Sequence, residues 1–209
     1  MVPVIRAAVL ACALAVPAAA HDGVEHGSPA EAAAHAAPGP IDAGLPFFAD
    51  IGGAFALTDQ HGVRRTQADP DGHMQLLFFG YANCQAICSV ALPLMGQVAT
   101  DLEAGGLTVT PVMVTVDPAR DTVEAIGAPL VRHHPRFVGL TGTEAELAVA
   151  WDAFQVEHKV VFEDPEYGPI FAHGSHVYLL DPQGEVLTLL PPIRSEARVA
   201  EIVRAYAAK

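Results

Sequence analysis

Cysteine is scarce in this chain: 209 residues hold three, and Cys12 lies in an apolar leader, so the body of the protein carries only Cys84 and Cys88. Two cysteines four positions apart close too short a loop to constrain much of an unfolded chain this long. That excludes a disulfide scaffold and points to thiol or metal chemistry. Basic residues are few as well, 11 against 24 carboxylates, and they form no cluster. Recognition of a phosphate backbone is therefore excluded, and no nucleic-acid partner is expected. After the leader no apolar run approaches the ~20 residues of a membrane helix. The expectation is one soluble domain with a sizeable core.

Residues 1–20 read as a secretory signal, with Arg6, the apolar stretch Ala7 to Val16, and Pro17-Ala18-Ala19-Ala20 as a small-residue cleavage site. If retained, the same stretch would anchor the protein, and membrane association is expected only in that case. Val9-Leu10-Ala11-Cys12 faintly resembles a lipoprotein box, but apolar residues continue past the cysteine. The expected location is the periplasm or the outer face of the cytoplasmic membrane. In an oxidising compartment a thiol pair closes a disulfide, shuttles electrons or holds a soft metal. Residues 21–44, rich in Ala, Pro, Gly and Glu, read as a flexible tether bearing His21, His26 and His35. Cleavage after Ala20 would place an amine beside the His21 imidazole, a weak Cu(II) site. Residues 45–209 are expected to form the folded domain.

Within that domain, Phe55 to Thr58 alternates like a strand and Asp59-Gln60-His61-Gly62 turns it. Met74 to Phe79 is a nearly continuous apolar run, the pattern of a strand covered on both faces. Apolar positions from Val90 to Leu102 predict a helix closed by Gly105-Gly106, and Pro93 places its start near Ala91 or Leu92. Leu107 to Val116 reads as a strand, although Pro111 is in tension with a central position. Thr122 can cap a helix whose capping box is incomplete, because Ala125 stands where a glutamate belongs. Thr143 caps a helix to Phe154 with Glu146 as its reciprocal partner. Phe137 to Leu140 is a short strand. Val177 to Leu180 and Val186 to Leu190 flank the turn Asp181-Pro-Gln-Gly184 as a hairpin, and Ser195 to Ala208 is an amphipathic helix. The sum is an α/β fold with a central mixed sheet flanked by helices and an additional N-terminal hairpin. A thioredoxin-like fold fits, with Cys84 and Cys88 where a strand runs into a helix.

At such a junction residues four apart share a face, so both sulfurs can aim at one point, and the helix N-terminus favours thiolates. Two thiolates select Cu(I), and zinc as well. The thiol-exchange spacing C-x-x-C is absent. A histidine from a distant segment can complete the site, and both His173 and His176 precede the strand at Val177. His158 reads as exposed beside Lys159, and His133 and His134 as surface residues. Asp117 ends a strand near the metal loop; it either orients an imidazole or hydrogen-bonds the cysteine loop, or it merely caps a turn while Arg120 pairs with a nearby carboxylate.

Over residues 50–207 the chain resembles the SCO/SenC family of copper-binding cytochrome c oxidase assembly proteins. The likeness is carried by Phe55-Ala-Leu-Thr-Asp-Gln-His-Gly62, Phe79-Gly-Tyr-Ala-Asn-Cys84-Gln-Ala-Ile-Cys88, Thr115-Val-Asp-Pro-Ala-Arg-Asp-Thr122, Phe137 to Gly142, and Tyr178 to Gly184. In that family the ligand histidine stands five residues before the aromatic that opens the last hairpin, which is His173 here. The resemblance implies one copper ion per domain, held by Cys84, Cys88 and His173. It also implies delivery, without substrate turnover, to the copper-receiving subunit of a respiratory oxidase and its dinuclear copper site. Other copper chaperones or a thiol reductant are further expected partners. Departures from the family pattern are Gln85 and Ser89 where prolines follow the cysteines, Ala86 where an acidic residue is usual, and Ala172 and Gly174 around the histidine. The alternative is a thiol-disulfide oxidoreductase that reduces cysteines of the oxidase subunit, with Cys84 attacking and Cys88 resolving. A peroxide-reducing enzyme finds no dedicated signature.

Overall fold

A computed structural model describes residues 51–82, 88–166 and 168–209. The leader, the tether with its histidines, and Cys84 lie outside the described residues.

The N-terminal hairpin is present: Ala56–Asp59 (β1) pairs antiparallel with Arg64–Thr66 (β2). Its turn is built by Asp59, whose Oδ1 accepts the backbone N–H groups of His61 and Val63 at 2.8 and 3.0 Å. Met74–Gly80 (β3) is buried at every position, as its unbroken apolar pattern requires. Cys88–Ala104 (α1) leads to Val109–Thr115 (β4), which runs parallel to β3. Val123–Leu130 (α2) then leads to Val138–Thr141 (β5), parallel to β4 and antiparallel to β1. After Glu144–Ala153 (α3), Lys159–Asp164 (β6) and Gly168–Ala172 (β7) form a two-stranded ribbon of their own. Val177–Leu180 (β8) and Val186–Leu190 (β9) are the late hairpin, and Glu196–Ala207 (α4) ends the fold.

The main sheet has seven strands in the order β2-β1-β5-β4-β3-β8-β9. Helix α1 lies against β3 and β4 and packs on α4, α2 lies on β5, and α3 on β1. The central strand β3 supplies Leu76, Leu77, Phe78 and Phe79, each at most 1% exposed. Full burial of such side chains stabilises the fold by roughly 1.5–3 kcal/mol apiece. The mixed sheet flanked by helices is the architecture that the pattern of elements predicts. Among the described residues no helix is long and apolar enough to cross a membrane.

Several local expectations are refined. Helix α1 includes Cys88 and holds Pro93 inside it, rather than starting near Ala91 or Leu92. The bond that Pro93 cannot donate would go to the carbonyl of exposed Ser89, in the first turn, where water can reach it. Pro111 is tolerated in a central strand because pairing with β5 begins only at Val112. Thr122 is the N-cap of α2 but makes no side-chain cap bond, in keeping with its incomplete box, whereas Thr143 and Glu146 form the full reciprocal box on α3. His134 is a correction: it is 4% exposed, with Nδ1 accepting the Arg136 N–H at 3.2 Å and Nε2 3.6 Å from Glu103. His158 is another: its ring stacks between Trp151 (centroids 3.9 Å) and Phe171 (5.8 Å), so it is half-buried. The β6–β7 ribbon itself was not expected. Its apolar residues Val160, Val161 and Phe162 are all about half exposed and show no alternation to read.

Candidate metal centre

The centre lies where β3 gives way to α1. Beyond Gly80 come Tyr81 and Ala82, and Cys88 opens the helix as one of the most buried residues of the core, 1% exposed. The crossing is tied to the neighbouring strand end: Val116 donates its N–H to the Gly80 carbonyl at 2.8 Å, and Ala82 donates its N–H to Asp121 Oδ2 at 3.0 Å. The same Asp121 oxygen accepts the Thr115 hydroxyl at 2.7 Å. Burial, more than any other influence, raises the Asp121 pKa above the usual carboxylate value, and the Thr115 and Ala82 hydrogen bonds oppose it.

His173 arrives from the other side, directly after the last residue of β7. Its Nε2 stands 3.5 Å from Cys88 Sγ, and its Nδ1 is 3.0 Å from the Gly174 carbonyl. A carbonyl oxygen only accepts, so the Nδ1 contact is a hydrogen bond only if Nδ1 carries the proton. Nε2 then presents its lone pair toward the sulfur, the arrangement a metal ligand needs. The imidazole is wedged edge-on between the rings of Phe78 (5.7 Å) and Tyr81 (5.9 Å).

The structure thus brings Cys88 and His173 together across 85 residues of sequence. His176 is half-buried. Among the described residues the Asp117 carboxylate pairs with the Arg120 guanidinium, and the carboxylate that takes the Ala82 N–H is that of Asp121; the loop that carries Cys84, which Asp117 was weighed to hold, lies outside the described residues. Sequence reasoning weighed Asp117 because it ends the strand. The signal for Asp121 was its place four residues on, where a turn starting at Asp117 folds back: the Asp121 N–H donates to the Asp117 carbonyl at 2.9 Å. A second group of metal-type side chains, Asp69, Asp71 and His73, lies at the opposite end of β3, its ligand atoms within 4.8 Å of one another. There Asp69 Oδ1 accepts the Asp71 and His73 N–H groups and shapes the turn into the strand.

Comparison with known proteins agrees with this architecture. The SCO1/SenC family model matches residues 44–208. The human mitochondrial protein SCO2 homolog is 36% identical over 158 residues, a match that spans 75% of this chain and 59% of the human protein. The chain therefore matches about three fifths of that relative's length. Among solved structures, Arabidopsis thaliana ScoI with copper bound is similar at a TM-score of 0.70 and 26% identity, covering 76% of this chain and 99% of that one. Bradyrhizobium japonicum ScoI with copper bound gives 0.66 and 30% identity, covering 75% and 99%.

Proposed function

The chain belongs to the SCO1/SenC family, and on that premise we propose that it is a copper metallochaperone that takes one copper ion per domain through Cys84, Cys88 and His173. The observation that carries this reading is the 3.5 Å approach of His173 Nε2 to Cys88 Sγ. With metal–sulfur and metal–nitrogen bonds of about 2.3 and 2.0 Å, as for zinc, that separation subtends an angle of about 110° at a shared ion. One ion can therefore bridge both atoms with little movement of either. A set of two thiolates and one imidazole suits copper, and the ion would leave by stepwise exchange of these ligands for those of a recipient. The relatives solved with copper bound support the same cargo.

The recipient in this reading is the copper-receiving subunit of a respiratory oxidase, met on the outer face of the cytoplasmic membrane. Residues 1–20 act as leader, 21–44 as tether, and 45–209 as the copper-binding domain. Anaerobic titration of the reduced protein with Cu(I) tests the proposal. Wild type is expected to bind one equivalent, His173→Ala to bind more weakly, and His176→Ala to bind almost normally. Unchanged binding by a Cys84→Ser/Cys88→Ser double variant overturns the site. Loss confined to His176→Ala overturns the choice of imidazole.

A further inference from the structure

The imidazole of the centre hangs from the β6–β7 ribbon, and that ribbon is not a member of the seven-stranded sheet. Where His173 sits relative to Cys88 therefore depends on how the ribbon is fastened to the rest of the fold. Among the described residues, the Arg120 side chain reaches all of the relevant segments. Arg120 pairs through Nε with the Asp117 carboxylate at the end of β4. Its Nη2 donates to the Pro169 carbonyl of β7 at 2.7 Å. Its guanidinium carbon stands 5.4 Å from the centroid of the Tyr81 ring, on the segment that leads to the cysteines.

Each contact has a firm far end. Asp117 is 2% exposed, and its N–H donates to Thr115 Oγ1 at 2.9 Å. Tyr81 is also 2% exposed, and its ring meets both Phe171 of β7 (5.7 Å) and His173 itself. Pro169 lies four residues before His173, on the strand that ends at Ala172. Gly168, just before it, has φ of +73°, and a Cβ there would stand 3.1 Å from Arg120 Nη1. Glycine thus serves both the left-handed backbone and the close seat of the guanidinium.

We propose that Arg120 is the positioning residue that holds His173 against Cys88. The inference rests on the ligand reading above and deepens it. The planar guanidinium offers donors in two fixed directions while its face covers an aromatic ring. An ammonium keeps the charge but loses that fork. Without Arg120 the ribbon keeps its stacking of Phe171 on His158 but loses its polar tie to the strand end, and the imidazole is no longer set within bonding reach of the sulfur.

A double-variant cycle tests this on the full chain. Cu(I) affinity is measured by anaerobic chelator competition for wild type, Arg120→Met, Arg120→Lys, His173→Ala and Arg120→Met/His173→Ala. Circular dichroism and thermal unfolding report folding, and methionine keeps the unbranched stem so that packing survives. The expected result is a loss of about tenfold or more in Arg120→Met, no recovery in Arg120→Lys, and less than about twofold further loss when Arg120→Met is added to His173→Ala. Penalties that multiply in the double variant mean that Arg120 acts other than through His173, and overturn the inference. Wild-type affinity in Arg120→Met, with His173→Ala weakened, also overturns it and leaves the ligand reading intact. Wild-type affinity in His173→Ala refutes the ligand reading and the inference with it. If Arg120→Met does not fold, Arg120→Lys takes its place in the cycle, alone and combined with His173→Ala; additive loss there overturns the inference.

Discussion

Gly80 closes β3 at the point where the metal centre begins, and replacing it with alanine is a one-methyl perturbation of the whole site. The added Cβ would lie 2.7 Å from Phe78 Cε1 and 2.9 Å from Cys88 Sγ. Comfortable contacts lie at about 3.5–4.0 Å, so each neighbour must retreat by roughly 0.6–1.3 Å. Neither has room: Phe78 is fully buried and Cys88 is 1% exposed. Overpacking of this kind costs about 1–3 kcal/mol, a fall in Tm of about 2–12 °C for a domain of this size. The functional effect is expected to be larger in proportion. The Phe78 ring leans on the His173 imidazole, so one methyl displaces sulfur and nitrogen together, where a working site tolerates about 0.5 Å. A loss of about tenfold or more in Cu(I) affinity is expected, equivalent to about 1.4 kcal/mol. Calorimetry gives the first number and anaerobic chelator competition the second. A Gly80→Ala protein with wild-type Tm and wild-type Cu(I) affinity would refute the idea that the close approach of β3 to Cys88 shapes the centre.

Tyr178 donates its hydroxyl to the Phe154 carbonyl at 3.1 Å, and burial pushes its pKa from 10.0 up to about 12. Tyr178→Phe is expected to cost about 1 kcal/mol at neutral pH. Because the folded-state value is the raised one, the wild-type contribution is complete below pH 10 and is lost as pH rises through about 12, a limb the variant lacks. Identical alkaline slopes in urea unfolding would contradict the burial argument. Asp121, raised above 3.8 chiefly by burial, holds a proton more readily folded than unfolded, so its stabilising contribution is complete below that value and fades as pH rises through the folded one. Asp121→Asn keeps an oxygen acceptor for Ala82 and Thr115 and is expected to flatten this acid-side slope; denaturant titrations that retain the slope would show that another group causes it.

Legibility in the sequence followed the range of the interaction. The β3 run, the Thr143–Glu146 box and the Asp181–Gly184 turn are settled within a few residues, and the structure has them where the pattern places them. The start of α1 was misjudged because Pro93 was weighed as a local breaker, while the cost in the fold is a single bond on an exposed first turn. The β6–β7 ribbon escaped notice because a strand with no consistently buried face carries no alternation. His134 and His158 looked like surface residues from their charged neighbours. In the fold His134 is buried with Nε2 3.6 Å from Glu103, and His158 is half-buried between the rings of Trp151 and Phe171.

By itself the sequence determined the alternation of strands and helices, the burial of the central strand and the placing of Cys88 where a strand gives way to a helix, since each is written in the pattern of a short stretch. Only the tertiary structure decided that Asp121 ties down Ala82 at the end of β3, and that Arg120 spans three segments. The same holds for the distance from His173 to Cys88: residue chemistry had left His173 beside His176, and family likeness alone had preferred it. Those facts depend on how a separate ribbon docks against a sheet edge, and contacts between residues 85 apart leave no mark in local spacing.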